Sequence, residues 1–391
     1  MLIAVVGKTN VGKTTFFSAS TLVDAEISNR IFTTIKPNKG VTYVRVGCPC
    51  KKLGVKCNPQ NSKCIDGIRY VPIKVVDVAG LVPNAHKGRG LGNQFLSDIM
   101  EASALIHVVD ISGSTDSEGN IVSHGSHNPL NDIEFLKKEI DYWMLGILSK
   151  INAYKRMDMK DKDFSELIYK QLSGLGVKQQ GVEYAIKEIE LKPNSSENTY
   201  LEFIEILRAK SKPIIIAGNK IDIAGAYELL QKTKESVSET IIPCCAEAEL
   251  ALRRASEHNL IKYMPGENDF EIISDLDAKH RNALDFIRNN ILQKYGSTGV
   301  QNVIDAAVFH LLDMIVVYPV ENEHKFSDKK GNVLPDAFLL RRGSTALDLA
   351  YKVHEDIGKK FISAVDAKTG KHIGADYVLK DGDIISIKSG R

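Results

Sequence analysis

The chain has 391 residues, of which 43% are hydrophobic, 26% charged and 7% aromatic, and its formal net charge is +2. These values are typical of soluble globular proteins and exclude a disordered, collagen-like or disulfide-framework chain. At about 150 residues per domain, the length predicts two or three domains. A charge this near zero gives no sign of a strongly cationic nucleic-acid binder, although a local basic patch is compatible with it.

The N-terminal apolar run at 2–6 does not resemble a signal peptide, because no basic segment precedes it and Gly7-Lys8 cuts it short. The other apolar runs are far shorter than the ~20 residues that a membrane helix needs. We therefore predict a cytoplasmic protein with reduced thiols and no membrane partner.

Short apolar runs that end in a glycine or a polar residue alternate with helical patterns along much of the chain. The runs that predict strands lie at 2–6, 41–46, 73–78, 105–110 and 213–218. Strands that alternate with helices predict a mainly parallel, doubly wound α/β sheet. Ligands of such sheets bind beyond the carboxyl ends of the strands, so the residues after each strand are candidates for a site.

The strand pattern stops between the runs at 105–110 and 213–218. A polar loop is followed by apolar residues at helical spacing from Ile133 to Tyr154, and then by shorter amphipathic stretches. We predict an inserted helical subdomain whose apolar stripes pack as helix-on-helix core. From Met314 onward, strand patterns and one capped helix predict a small β-grasp module.

A phosphate-binding motif follows the first predicted strand, because residues 7–14 match GxxxxGK[ST] and a helical pattern comes next. The glycines let backbone N–H groups face a phosphate chain at a helix N-terminus. Lys13 is placed to reach the β- and γ-phosphates, and the Thr14 hydroxyl to bind Mg²⁺. The predicted nucleotide-binding residues of this loop are Gly7, Lys8, Thr9, Asn10, Val11, Gly12, Lys13, Thr14 and Thr15.

Two further motifs predict which nucleotide is bound. In the DxxG sequence at 77–80, Asp77 would hold Mg²⁺ through water and the Gly80 N–H would contact the γ-phosphate. In the NKxD sequence that starts with Asn219 and Lys220, the Asp222 carboxylate would accept hydrogen bonds from guanine N1–H and the 2-amino group. Adenine has neither donor, and a site built on such bonds can discriminate by about 10⁴ or more. The three motifs, each after a strand, predict GTP binding.

The sequence resembles the Obg superfamily of translation-factor-class GTPases, and within it the YchF/Obg-like ATPase branch. Residues 77–95 reproduce that family's switch II almost residue for residue, and residues 32–38 resemble its switch I. The resemblance covers the whole chain and implies a P-loop GTPase fold with a helical insertion and a C-terminal TGS-like domain. The predicted domain limits are 1–129 and 209–312 for the two parts of the GTPase domain, 130–208 for the helical subdomain and 313–391 for the TGS-like domain.

The sequence departs from the family pattern in the guanine motifs. In bacterial and eukaryotic YchF relatives the NKxD motif is degraded and ATP is preferred, whereas residues 219–222 here read NKID, so we predict GTP over ATP. The usual Ser-Ala of the last guanine motif is Cys245-Ala246 here. The backbone N–H of Ala246 could still donate to guanine O6, and this is compatible with Cys245 being a buried structural cysteine.

The residue that positions the attacking water is not evident, because Leu81 stands where Ras-like proteins carry a glutamine, and we expect slow intrinsic hydrolysis. The resemblance nominates His86, whose imidazole could accept a hydrogen bond from the water; an ordinary surface histidine is the alternative. It also implies that Asn10 helps to hold K⁺, and that Thr34, with Thr33 as second choice, binds Mg²⁺ and the γ-phosphate. The predicted catalytic residues are Lys13, Asn10, Thr34, Gly80 and His86, and the predicted Mg²⁺ ligands are Thr14, Thr34 and Asp77.

Four of the six cysteines fall in one short stretch, namely Cys48, Cys50, Cys57 and Cys64. Four thiols within a short loop could form a tetrahedral Zn²⁺ site. Because the spacing begins with CxC and not with the usual CxxC pair, a reduced loop with incidental cysteines is the alternative.

TGS modules in related proteins are linked to RNA or ribosome contacts, so the resemblance implies such a partner for residues 313–391. Composition alone favours a solvated surface there. The leading hypothesis is a Mg²⁺-dependent switch that binds GTP and GDP and hydrolyses GTP. The alternatives are a nucleotide-gated binding protein whose hydrolysis is incidental, and an ATPase.

Overall fold

The structure is a computed structural model that describes residues 1–22, 38–78, 80, 99–149 and 161–390. Several sequence predictions concern residues outside this part of the chain. Thr34 and His86 are among them, together with Thr33 and the end of the predicted helical stretch at Tyr154.

The strands and helices of the described residues follow in chain order. The strands are β1 (Leu2–Val6), β2 (Lys39–Gly47), β3 (Lys63–Ile65), β4 (Ile68–Asp77), β5 (Ala104–Asp110), β6 (Ile214–Asn219), β7 (Ile241–Pro243), β8 (Ile261–Lys262), β9 (Glu271–Ile272), β10 (Met314–Val320), β11 (Phe338–Arg341), β12 (Phe361–Asp366), β13 (Lys371–Ile373) and β14 (Ile384–Ser389). The α-helices are Lys13–Thr21, Pro49–Leu53, Pro129–Ser149, Asp161–Leu172, Gln179–Ile189, Glu197–Ser211, Ala226–Ser236, Ala246–Glu257, Ala278–Ile287, Gln293–Tyr295, Val300–Ala306, Ala346–Val353 and Glu355–Lys359. A 3₁₀ turn spans Ser173–Leu175, and π-helical segments span Arg288–Leu292 and Ala307–Leu311.

The chain forms two compact units. Unit 1 contains the described residues of 1–24, 34–40 and 74–303, and unit 2 contains those of 41–73 and 304–391. Residues 41–73 therefore cluster with the C-terminal residues in this division, whereas the predicted limits place them in the first part of the GTPase domain. Those limits stay a prediction.

Unit 1 is built on a parallel sheet with the strand order β4-β1-β5-β6-β7. All residues of β5 and β6 are buried, which explains why both strands are mainly apolar, with His107 as the one polar residue before their last positions. This confirms the doubly wound α/β prediction. Because the strands are parallel, their carboxyl ends lie at one edge of the sheet, and Val6, Asp77, Asp110 and Asn219 are the last residues of β1, β4, β5 and β6.

The predicted helical insertion is confirmed in unit 1. Its long helix Pro129–Ser149 packs on helix Glu197–Ser211, and Leu136, Ile140 and Phe203 are fully buried in its core. These residues recur at helical spacing, so one face of each helix is apolar and packs inward. The insertion starts directly after the segment that follows β5.

The C-terminal part of unit 2 is a mixed sheet with the strand order β11-β10-β14-β12-β13. Strands β10 and β14 are parallel, and the other neighbours are antiparallel. Helix Ala346–Val353 begins at a capping box between Thr345 and Asp348 and buries Leu349 in the core. This architecture confirms the predicted β-grasp module.

A short hairpin in unit 2 was not predicted. Strand β3 pairs antiparallel with the first residues of β4 through a turn at Asp66 and Gly67, whose φ angles are 49° and 78°. Two adjacent residues with positive φ are typical of a tight hairpin turn. Strand β3 has only three residues, Lys63–Ile65, which is too short for a hydrophobic period to show.

Candidate nucleotide site

The phosphate-binding motif forms the turn between β1 and helix Lys13–Thr21. Gly7 has a φ of 154°, and a Cβ at this position would lie 2.6 Å from the carbonyl oxygen of Val108 in β5. Gly12 precedes the helix with a φ of 90°, and no side chain caps the N–H groups of the first turn. Uncapped N–H groups and the helix dipole favour an anion at this end. The turn can therefore bind phosphate through its backbone.

The predicted Mg²⁺ ligands of the described residues lie together at this turn. Lys13 Nζ is 2.9 Å from Asp77 Oδ1, and the Thr14 hydroxyl donates to Asp77 Oδ2 at 3.1 Å. A hydroxyl and a carboxylate are oxygen ligands of the kind that Mg²⁺ prefers, so these residues fit the ion. Gly80 lies against the same loop, with a Cβ position 3.0 Å from the Thr9 side chain.

Asn219 connects the phosphate-binding turn to the predicted guanine motifs. Its Nδ2 donates to the carbonyl oxygen of Val11 at 2.8 Å, and its Oδ1 accepts from the backbone N–H of Ala246 at 3.0 Å. Asn219 is buried, and a Cβ on Gly12 would lie 2.3 Å from its Nδ2. The turn therefore requires glycine at position 12.

Cys245 is hydrogen-bonded to the predicted guanine-binding carboxylate. Its thiol donates to Asp222 Oδ1 at 3.2 Å. Burial, followed by the negative charge of Asp222, raises the pKa of the Cys245 thiol far above its usual value, so the thiol stays protonated and remains a donor. A thiol here supplies the same kind of donor as the serine hydroxyl of the family motif.

The segment after β5 lies against the phosphate-binding turn, a contact that the sequence analysis did not anticipate. Asn10 Nδ2 donates to the carbonyl oxygen of Gly119 at 2.8 Å, and the Thr9 hydroxyl donates to that of Glu118 at 3.4 Å. Gly119 has a φ of 90°, and a Cβ there would lie 1.8 Å from Thr9 Oγ1. In the sequence, the signal for this contact is the set of glycines and polar residues in the segment, and their pattern is equally typical of an ordinary loop.

The Lys8 side chain points to the helical insertion and not to the phosphate side of the turn. Its Nζ donates to the Thr115 carbonyl oxygen at 2.7 Å and lies 2.7 Å from a carboxylate oxygen of Asp132. His127 Nε2 is 2.8 Å from the same carboxylate. Of Lys8, only the backbone is therefore positioned to contact a phosphate.

Asp110, at the carboxyl end of β5, organises a second polar network that the sequence analysis missed. It accepts hydrogen bonds from the hydroxyls of Ser112, Ser114 and Thr115, and Lys220 Nζ lies 2.8 Å away. Burial alone would raise the pKa of Asp110, but these hydrogen bonds, led by that from Lys220, outweigh it and lower the pKa. Lys220 thus anchors the guanine motif to the neighbouring strand.

The four clustered cysteines meet in unit 2 and not at the nucleotide site. Their sulfur atoms all lie within 4.8 Å of one another. A hydrogen bond from Cys64 lowers the pKa of the Cys48 thiol to about 4, against the effect of burial, and the charge of Arg69 acts in the same direction. The surroundings of Cys48 therefore favour its thiolate form.

Comparison with known proteins identifies the family. The family model "Obg-like GTPase YGR210-like, G4 motif-containing domain" matches residues 217–322, "50S ribosome-binding GTPase" matches 2–141 and "TGS domain" matches 328–389. An uncharacterised GTP-binding protein of Methanocaldococcus jannaschii is 52% identical over 99% of both chains. The chain belongs to the YchF/Obg-like family of P-loop GTPases. This confirms the resemblance found in the sequence.

Two further relatives align along nearly the whole chain. The crystal structure of a GTP-binding protein from Pyrococcus horikoshii OT3 is 41% identical, with a TM-score of 0.80 and coverage of 100% of both chains. A protein of Buchnera aphidicola named ribosome-binding ATPase YchF is 27% identical and covers 97% of each chain. Among the residues that the structure describes, every helix is too short or too polar to cross a membrane.

Proposed function

We propose that this protein is a Mg²⁺-dependent molecular switch that binds GTP and GDP and slowly hydrolyses GTP to GDP and phosphate. The observation that carries the proposal is the pair of hydrogen bonds made by Asn219, at 2.8 Å to Val11 and 3.0 Å to Ala246. They tie the phosphate-binding turn to both guanine motifs. The groups that would bind the base and the groups that would bind the phosphates therefore form one hydrogen-bonded set.

The choice of GTP over ATP rests on Asp222. The thiol of Cys245 holds one carboxylate oxygen at 3.2 Å, and the carboxylate retains acceptor sites for guanine N1–H and the 2-amino group. An adenine base has neither donor, so the Asp222 carboxylate would face it without hydrogen bonds. The backbone N–H of Ala246 donates to Asn219 Oδ1 at 3.0 Å, and when GTP binds it would also donate to guanine O6.

Different residues of the chain would have different roles in phosphoryl transfer. Lys13, now in contact with Asp77, would turn to the β- and γ-phosphate oxygens, and Thr14 and Asp77 would hold the Mg²⁺ together with Thr34. Bound Mg²⁺ would offset the negative charge of the phosphates. The Gly80 N–H contacts the γ-phosphate and reports whether it is present.

Two groups are proposed to supplement this machinery because Leu81 cannot orient a water. His86 accepts a hydrogen bond from the attacking water. Asn10 would contribute to a K⁺ site: because its Nδ2 donates to the carbonyl oxygen of Gly119 at 2.8 Å, its Oδ1 could serve as the cation ligand. A cation beside the phosphates would act as an arginine finger does in other GTPases.

We further propose that the switch acts in the cytoplasm on ribosomes or RNA through its TGS domain. Support comes from the matched TGS domain and from the names of relatives that are called ribosome-binding. Because the net charge of the chain is only +2, RNA contacts would depend on local basic patches.

The test compares GTP and ATP binding and turnover by the full chain, in K⁺ and in Na⁺ at equal ionic strength. We expect GTP to bind more tightly, turnover to be faster in K⁺, and Asp222→Asn to lower GTP affinity at least about a hundredfold, because two hydrogen bonds to a charged acceptor are lost. Xanthosine triphosphate should bind the variant better, since its C2 carbonyl can accept from an asparagine amide.

The matched control is Asp163→Asn, an exposed carboxylate of helix Asp161–Leu172, which should leave both affinities unchanged. Tighter binding of ATP by the wild-type protein would contradict the proposal and favour an ATPase, the activity named in the Buchnera relative. A nucleotide-gated binding protein is the second candidate, favoured by Leu81. It would show tight, GTP-dependent binding to a partner with turnover that stays slow when ribosomes are added.

A further inference from the structure

The four clustered cysteines of unit 2 have the sulfur spacing of a mononuclear metal site. Cys48 Sγ lies 4.0 Å from Cys57 Sγ, Cys50 Sγ lies 3.8 Å from Cys64 Sγ, and all four sulfurs lie within 4.8 Å of one another. Four sulfurs at about 2.3 Å from one tetrahedral Zn²⁺ are about 3.8 Å apart. A disulfide brings two sulfurs to about 2.05 Å, so these pairs are not bonded to each other.

Local backbone structure brings these cysteines together. Cys48 precedes the short helix Pro49–Leu53, which contains Cys50 and ends at Gly54 with a φ of 64°. The backbone N–H of Cys48 donates to the carbonyl oxygen of Gly67, in the hairpin turn, at 2.8 Å. This bond sets the start of the helix beside strand β3, which carries Cys64. Hydrogen-bonded turns therefore hold the thiols in place, and a chance meeting of loop side chains does not explain the cluster.

A buried positive charge next to the cluster supplies an independent argument. Arg69 lies directly opposite Cys64 in the hairpin and has 0% exposure. It donates to Ser62 Oγ and to the carbonyl oxygen of Leu334, both at 2.9 Å. Its Nε has no hydrogen-bond partner, and it forms no ion pair with a carboxylate among the described residues. The ring of Tyr318 lies 5.3 Å from the guanidinium, but a buried cation that no carboxylate pairs with is costly.

A metal centre would supply the missing negative charge. One Zn²⁺ with four thiolates has a net charge of −2, which would offset the guanidinium of Arg69. Four thiols in their protonated form would supply none. The pairing of a fully buried arginine with a four-cysteine cluster is therefore better explained by a metal site than by incidental cysteines.

We propose that Cys48, Cys50, Cys57 and Cys64 bind one structural Zn²⁺, and that this ion holds the cysteine loop on the TGS domain. Four protein ligands close the coordination sphere and leave no position for a substrate, as in other structural zinc sites. The site lies in unit 2, is separate from the nucleotide machinery and does not depend on the proposed GTPase activity.

Hydrogen bonds join the cysteine loop to residues 333–337, so an ion that holds the loop would also hold this contact. The N–H groups of Asn58 and Gln60 donate to the carbonyl oxygens of Val333 and Pro335, at 2.8 and 2.6 Å. Asn61 exchanges two hydrogen bonds with Ala337, at 3.1 and 2.9 Å. These residues lie between Cys57 and Cys64, the third and fourth ligands, so the segment is tethered at both ends when the ion is bound.

Elemental analysis of the purified full chain tests the site directly. We expect about one Zn per chain, and less than about 0.2 Zn per chain in Cys57→Ser, which removes one ligand of a four-ligand site. The matched control is Cys244→Ala, since Cys244 is a free cysteine outside the cluster, and it should keep the metal. Iron in place of zinc, or equal zinc in wild type and Cys57→Ser, would overturn the proposal.

A second measurement does not require the variant to fold. Wild-type protein stripped by a chelator and reloaded with Co²⁺ should show thiolate-to-cobalt charge-transfer bands and tetrahedral d–d bands. In the stripped protein, we expect amide exchange of residues 58–61 to rise at least about tenfold, with no change in helix Lys13–Thr21. Wild type that contains no metal and stays colourless with Co²⁺, or stripped protein with unchanged exchange, would refute the assignment.

Discussion

The nucleotide site of unit 1 and the cysteine cluster of unit 2 are assembled in opposite ways. The nucleotide site collects residues between Gly7 and Ala246, from the ends of β1, β4, β5 and β6, so it exists only when the parallel sheet has formed. The cluster takes its four side chains from residues 48–64. The nucleotide site therefore depends on the order of strands in the sheet. The cysteine cluster depends on local turns and on the ion that we propose.

The difference also appears in how each region uses glycine. Gly12 and Gly54 both have positive φ, 90° and 64°, and each flanks a helix. A Cβ on Gly12 would meet Asn219 Nδ2 at 2.3 Å, whereas a Cβ on Gly54 would meet nothing within 4 Å. In unit 1 the glycine permits a close approach between distant segments, and in unit 2 it only permits a local turn.

The largest expected effect comes from Gly12→Ala. The new methyl group should displace Asn219 and break its bonds to Val11 and Ala246, in addition to the cost of positive φ for alanine. Two hydrogen bonds at about 1 kcal/mol each and about 1–2 kcal/mol of backbone strain predict a loss of GTP affinity of about a hundredfold or more. Titration with a fluorescent GTP analogue measures it.

Gly54→Ala is the matched control in unit 2. Because the added methyl group meets nothing within 4 Å, we expect only the backbone cost of about 1–2 kcal/mol in stability and no change in GTP affinity. Equal GTP affinity in Gly12→Ala and wild type would mean that Asn219 does not connect the two halves of the nucleotide site.

The parts of the molecule that could be predicted from sequence are those with a long or repeated signal. The apolar runs of β1, β5 and β6, the motifs that begin at Gly7 and Asn219, and the helical period around Leu136 each predict the structure that is found. These signals are strong because burial on both faces of a strand, or on one face of a helix, constrains many residues together.

The parts that could not be predicted depend on contacts between polar residues far apart in sequence. The bonds from Lys8 to Asp132 and from Asn10 to Gly119 form only because the segment after β5 folds back over the phosphate-binding turn. No period or motif encodes that path. The roles of Thr34 and His86 stay predictions, since both lie outside the described residues.

A smaller effect is expected in unit 2 from Arg69→Met. The substitution keeps most of the buried volume but removes the positive charge beside the cluster and leaves the Leu334 carbonyl oxygen without its donor. Partners just outside a metal's ligands typically contribute 10–100-fold to affinity, so we expect Zn²⁺ affinity to fall about tenfold. Competition with a chromogenic chelator measures this, and GTP affinity should not change.

Two further variants separate charge from packing. Arg69→Lys keeps the positive charge and should retain more Zn²⁺ affinity than Arg69→Met. Arg342→Met removes an arginine that is about 58% exposed and pairs with Asp313 on the surface, and it should have no effect. If Arg69→Met binds Zn²⁺ as tightly as wild type, the buried charge does not support the site.

The smallest expected effect is on the pH dependence of the free energy of unfolding of unit 1. His107 in β5 is about 3% exposed, and burial, with Lys137 and Lys8 adding to it, lowers its pKa from 6.5 to about 3. The folded state therefore keeps His107 neutral, while the unfolded state takes up a proton below pH 6.5. The contribution of His107 to the free energy of unfolding is fully present above pH 6.5 and is lost progressively as the pH falls toward 3. We expect a loss of about 1 kcal/mol between pH 7 and pH 5.5.

The only tryptophan, Trp143, lies in the long helix of unit 1, so its fluorescence during urea unfolding reports on this unit. His107→Asn should lack the difference of about 1 kcal/mol between pH 7 and pH 5.5, even if it is less stable at both. His280→Asn is the control, because that side chain is about 63% exposed and should keep the wild-type pH response. If His107→Asn loses as much stability as wild type between pH 7 and pH 5.5, groups other than His107 cause the loss. The nucleotide site would then lose stability in acid through its carboxylates, such as the network at Asp110, and not through its buried strand.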